Sequence, residues 1–132
     1  MKKFLFTSSF ALLIAFISFA QNKTPYVRIV NIVIDSSQLD SFKAALKKDI
    51  EASVFTEPGT IAIHAVFDKA KPTHVTVFEI YENIAAHKGH QATTHFQEYK
   101  QATTAMAKAI VRVEASVIAL ESKQISTSSK NH

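Results

Sequence analysis

The 132 residues carry 15 Lys and Arg against 11 Asp and Glu, a net charge of +4, with no cysteine. This weak basic excess, spread along the chain, gives no ground for a nucleic-acid partner. Without cysteine no disulfide supports the fold and no thiol chemistry is available. The length suits one hydrophobic core, small enough that pairing with a second copy would help to bury apolar surface.

The chain opens with Lys2 and Lys3, an apolar run over 10–19 and small residues at Ser18 and Ala20. This is the order of a secretory signal peptide, with cleavage expected after Ala20. The run is shorter than the ~20 residues a span requires and is preceded by Ser8 and Ser9, so no membrane association is expected after cleavage. Loss of Lys2 and Lys3 leaves about +2, and the product is expected in a periplasm or outside the cell.

Residues 21–25 read as a polar lead-in and 26–121 as one domain. The β-branched stretch 26–34 predicts a strand. Val27, Ile29 and Val33 lie on one face, Val30, Ile32 and Ile34 on the other. A strand apolar on both faces is covered on both. Asp35, Ser36 and Ser37 offer caps, after which Leu39, Phe42, Leu46, Ile50 and Val54 recur at helical spacing. Glu57-Pro58-Gly59 breaks that helix. Strands are predicted over 60–67 and 74–81, antiparallel because their connection is short. A helix opens at Glu82-Asn83 and runs to about His90. Another restarts at Thr93-Thr94 and runs to about Lys108, with Thr94 and Gln97 at capping-box spacing. A last strand is predicted over 109–117, and 122–132 reads as a disordered tail. The order β-α-β-β-α-β predicts an α+β, ferredoxin-like fold with both helices on one sheet face and a homodimer packed through the other.

Four motifs carry a resemblance: Glu57-Pro58-Gly59, Phe78-Glu79-Ile80-Tyr81-Glu82-Asn83, Ala86-His87-Lys88-Gly89-His90 and Thr93-Thr94-His95-Phe96. In order and spacing the chain resembles the antibiotic biosynthesis monooxygenase family from Tyr26 to about Ala119. Thr94 stands where that pattern has proline, and Tyr81 where some members have tryptophan. The resemblance implies a dimeric α/β barrel. It also implies oxidation of a small aromatic or quinol-type compound by dioxygen, with no metal or other cofactor. Other branches isomerise or cleave small carbonyl compounds. A haem-degrading branch places a histidine roughly where Lys100 stands here.

Within this resemblance Asn31 and Tyr81 would face the space between sheet and helices. Asn31 would hydrogen-bond a substrate oxygen, and Tyr81 would stack on or donate to the ring; Tyr81 also reads as an ordinary core aromatic. His90 and His95 would flank one cavity, one of them deprotonating a hydroquinone. A purely structural role, fixing the kinked helix, weighs equally. Glu79 reads first as a structural carboxylate paired with His90, His95 or a helix N-terminus. It is also placed, with His64 and Phe96, among the substrate-binding residues. No metal is expected. His87 and His90 with His64 or Glu79 form the one donor set to consider, and no H-E-x-x-H array is present. Two readings compete with the oxygenase: an isomerase or lyase on a small carbonyl compound, and a dimeric small-ligand-binding module without turnover.

Overall fold

The structure, a computed structural model, describes residues 24–123. The expected signal peptide, most of the lead-in and the tail beyond Lys123 lie outside them. The elements are β1 Tyr26–Ile34, α1 Leu39–Thr56, β2 Thr60–Phe67, β3 His74–Tyr81, α2 Ile84–Ala92, α3 Thr94–Thr103 and β4 Ala107–Ala115. Short 3-10 turns precede α1 and β4. The strands form one antiparallel sheet in the order β2-β3-β1-β4, the ferredoxin-like arrangement. All three helices belong to the α+β plan, with the break between α2 and α3 at Thr93, where the sequence predicts a restart.

The core lies between the sheet and the helices. Val30, Ile32 and Ile34 of β1, Val75 and Val77 of β3 and Ile63 of β2 meet Phe42 and Leu46 of α1. Alternation along β1 is therefore realised as predicted, with Arg28 the one charged member of the helix-facing row. On the opposite face the register aligns Asn31 with Thr76 and Val111, and Ile29 with Phe78 and Val113. This face is partly open, with Val66, Val111 and Val113 exposed.

Several details depart from the sequence reading, among them the end of α3 at Thr103 rather than about Lys108. The last strand begins two residues earlier than predicted because β4 pairs along the whole of β1, from Val27↔Ala115 to Ile34↔Ala107. The Asp35 amide also donates to the Met106 carbonyl at 2.9 Å. The buried stripe of α1 is Phe42, Leu46, Asp49 and Ser53, while Val54 is 46% exposed. At 3.6 residues per turn the core-facing row drifts, and here it carries two polar residues inward. The cap of α3 is Thr93, whose hydroxyl accepts from the Phe96 amide at 3.3 Å, not Thr94. The Gln97 side chain donates instead to the Gln91 carbonyl at 2.6 Å.

Candidate functional site

Glu57 terminates α1 in the Glu-Pro-Gly turn, and the Gly59 carbonyl accepts from the Glu82 amide at 2.9 Å, tying this turn to the end of β3. An added Cβ on Gly59 would stand 2.5 Å from the Ala86 Cβ, so only glycine lets α2 approach this closely. Asn83 caps α2 by accepting from the Ala86 amide at 2.8 Å. Thr93 then separates α2 from α3. Its hydroxyl donates to the His90 carbonyl at 2.7 Å, so His90 and His95 stand on either side of one short break.

Both imidazoles converge on Glu57. His90 Nδ1 lies 3.0 Å from Glu57 Oε1, and His95 Nε2 lies 2.6 Å from the same oxygen. An ionised carboxylate only accepts, so each ring presents an N–H to it. Ser53 Oγ donates to the Asp49 carbonyl at 2.7 Å and lies 3.3 Å from both ring nitrogens. Thr60 donates to Glu57 Oε2 at 2.5 Å. Burial alone would raise the Glu57 carboxyl, but the hydrogen bonds from Thr60 and His90 outweigh it and hold it below its ordinary value. With Nδ1–H fixed on Glu57, the second nitrogen of His90 is left as a lone-pair acceptor, the tautomer a general base needs.

Beside this cluster a cavity of 360 Å³ lies between the sheet and helices α1 and α3. Phe42, Phe96 and Tyr99 form an aromatic wall, with ring centroids 6.1 Å apart for Phe96 and Tyr99 and 6.3 Å for Phe42 and Tyr99. Ile63 and Val77 form part of the sheet wall. His90 reaches the cavity and packs 4.7 Å from the Phe96 ring. Arg28, Asp49, Glu79, Lys100 and Arg112 supply the charges on the lining. Asp49 Oδ1 and Glu79 Oε2 are buried with no hydrogen-bond partner among the described residues. Burial pushes both carboxyls above the ordinary range, for Glu79 against the attraction of Arg28. Glu79 Oε2 is 3.5 Å from Arg28 Nη1, close enough for Coulomb attraction but not directed as a hydrogen bond. Burial also holds the Tyr99 hydroxyl up at about 12.

The predicted residues separate into three groups. His90, Glu79 and Phe96 line the cavity. His95 and Tyr81 support it from behind: His95 is held by Glu57, and Tyr81 is fully buried with its ring 5.1 Å from His87 and 5.5 Å from His90. The Tyr81 hydroxyl has no partner among the described residues, and burial raises its pKa. Asn31 and His64 lie elsewhere. Asn31 is exposed on the open face of the sheet, where it accepts from Thr76 Oγ1 at 2.8 Å. Side chains alternate along β1, so a residue sharing a face with Ile29 and Val33 points away from the helices. His64 is exposed opposite Phe78, which takes it out of the donor set considered with His87 and His90. Glu79 pairs with Arg28 rather than with a histidine. His87 accepts a hydrogen bond from Arg28 through Nε2.

Sequence reasoning gave no chemical role to Glu57, Asp49, Ser53 or Arg28. Glu57 was visible as part of a motif but read only as a helix stop. Arg28 was the single charge in an alternating apolar row, a signal that could have singled it out.

The family model described as antibiotic biosynthesis monooxygenase matches residues 25–102. Among solved structures, a protein of that description from Bacteroides thetaiotaomicron is 38% identical, with a TM-score of 0.74 over 77% of this chain and 97% of its own. One from Nitrosomonas europaea is 21% identical, with a TM-score of 0.67 over 71% of this chain and 99% of its own, and shares the fold. A monooxygenase-type protein from Lactobacillus acidophilus is 24% identical, with a TM-score of 0.69. There the match covers 72% of this chain and 45% of that one, so the chain spans about half that protein's length. No curated protein matches. The extent of the family match, and a 38% identical relative covered almost end to end, show that this chain belongs to the antibiotic biosynthesis monooxygenase family.

Proposed function

We propose that the protein oxidises a small aromatic or quinol-type compound with dioxygen, needing no cofactor for the step, with His90 as general base. One observation carries this reading. An aromatic-walled cavity within the usual size range of small-ligand sites receives an imidazole whose other nitrogen is fixed on a carboxylate. Glu57 holds His90 in the tautomer with an acceptor toward the cavity and stabilises the imidazolium formed when it takes a proton, the division of labour of a carboxylate–histidine pair. The proton comes from a phenolic or quinol hydroxyl. The resulting anion is electron-rich and reduces dioxygen. One oxygen atom enters the organic product and the other leaves as water, so a hydroquinone gives a hydroxyquinone and no external reductant is consumed. Phe96 and Tyr99 would stack against the substrate ring. Asp49 and Glu79, raised by burial, are suited to exchange protons with substrate hydroxyls.

The test is oxygen uptake by metal-stripped protein against hydroquinones, naphthols and anthrone-type compounds. Uptake above autoxidation is expected, falling by about 10²–10⁴-fold in His90→Gln, the usual contribution of a general base, and by less in Glu57→Gln. Absence of uptake across the panel, with an apolar probe still bound, would instead favour the ligand-binding reading. Turnover of a carbonyl substrate without oxygen would favour the isomerase.

A further inference from the structure

Asp49 and Glu57 bring two carboxylates to the two imidazoles of His90 and His95. Among the described residues neither carboxylate forms an ion pair with Lys or Arg; their ion-pair contacts are with these histidines. Nδ1 of His90, Nε2 of His95 and a Glu57 oxygen all lie within 4.8 Å of one another. A tetrahedral ion with bonds of about 2.0–2.1 Å needs donors roughly 3.3 Å apart. The two nitrogen-to-oxygen contacts of 3.0 and 2.6 Å therefore need to open by about 0.3 and about 0.7 Å to reach that spacing. An independent observation supplies the fourth position. Asp49 is 5% exposed, its Oδ1 has no hydrogen-bond partner among the described residues, and that same atom lies 3.9 Å from His95 Nε2.

The geometry points to a second use of this cluster: a divalent transition-metal site of the zinc type, with His90, His95, Glu57 and Asp49 as ligands. Two imidazoles with two carboxylates are a borderline donor set that suits zinc or its first-row neighbours over magnesium or calcium. The site is also incompatible with the base proposed above. A metal on His90 Nδ1 moves that nitrogen's proton to Nε2, which then points a donor toward the cavity and can no longer accept a proton. Metal occupancy would thus switch the base off. Metal binding itself stands whether or not the oxidase reading holds, because it is read without any substrate.

The experiment is titration of the metal-stripped full-length protein with Zn²⁺ by calorimetry, and with Co²⁺ by visible absorption. One ion per chain is expected, with a Zn²⁺ Kd of about 1 µM or tighter and the intense visible bands of four-coordinate cobalt. His95→Asn is expected to weaken binding at least about 100-fold, since loss of even an outer-shell partner costs 10–100-fold. Asp49→Asn, which keeps shape and volume, is expected to weaken it about tenfold or more and serves if His95→Asn does not fold. His74→Gln, on the surface, should leave it unchanged. Failure to bind one equivalent, or binding indifferent to both ligand substitutions, would overturn the proposal. So would cobalt spectra of an octahedral, surface-bound ion. If oxygen uptake is observed, saturating Zn²⁺ should suppress it and a chelator restore it.

Discussion

Arg28 shows how one side chain sets the state of its neighbours. It donates to His87 Nε2 and lies beside Glu79. Burial, then the repulsion of the guanidinium, drive the His87 pKa from 6.5 down to about 4. The native state therefore binds fewer protons than the unfolded chain between those values. The stabilising contribution is complete above about pH 6.5 and is lost as the pH falls toward 4. A single such group contributes a slope of at most about 1.4 kcal/mol per pH unit. Urea midpoints measured from pH 7.5 to 4 should decline across this window in the wild type. They should decline less steeply in His87→Gln, which keeps an acceptor for Arg28 but does not titrate. An equal slope in both would assign the acid sensitivity elsewhere. At this scale the sequence was half legible. His90, Glu79 and Phe96 could be placed on the cavity by periodicity and motif. Asn31 could not, because its strand parity with Ile29 and Val33 puts it on the other face, against the placement that the resemblance implies. The convergence of Glu57 and Asp49 on two histidines joins residues 33 to 46 positions apart, a distance that no local spacing records.

The elements that build the cluster are short and closely abutted. The Glu-Pro-Gly turn lies against the first turn of α2, with no room for a methyl group on Gly59. Gly59→Ala should therefore cost about 1–3 kcal/mol, the usual range for overpacking, and displace Glu57 from the two imidazoles. Gly89 is a contrasting case inside α2, where an added Cβ meets nothing within 4 Å. Gly89→Ala should stabilise by about 0.5–1 kcal/mol, the helix-interior difference between the two residues. Thermal melts of the two variants should move in opposite directions, and a common direction would contradict this packing. The strands and the interruption near Thr93 were legible because alternation, helical spacing and turn residues are local signals. The exact caps and the start of β4 were not. They follow from partners distant in sequence: the Asp35 amide on Met106, and the whole length of β1 lying alongside β4.

For the molecule as a whole, the sheet has one face closed by helices and another with Val66, Val111 and Val113 exposed. We expect this apolar face to pair with a second copy. Sedimentation should then give a dimer, converted toward monomer by Val111→Lys. A wild-type monomer at micromolar concentration would argue against that pairing. The position of β4 has a further consequence. It is the last strand in the order, so the backbone groups on its outer side lack a ladder neighbour among the described residues. Its helix-facing row nevertheless carries Arg112 and Glu114, and Lys108, at the bulge between Ala107 and Ala109, reaches Asp35 at 3.2 Å. Charges along a bare strand margin discourage unrelated chains from extending the sheet. Neutralising them would leave folding largely intact, yet shorten the time the protein stays in solution before it forms cross-β aggregates.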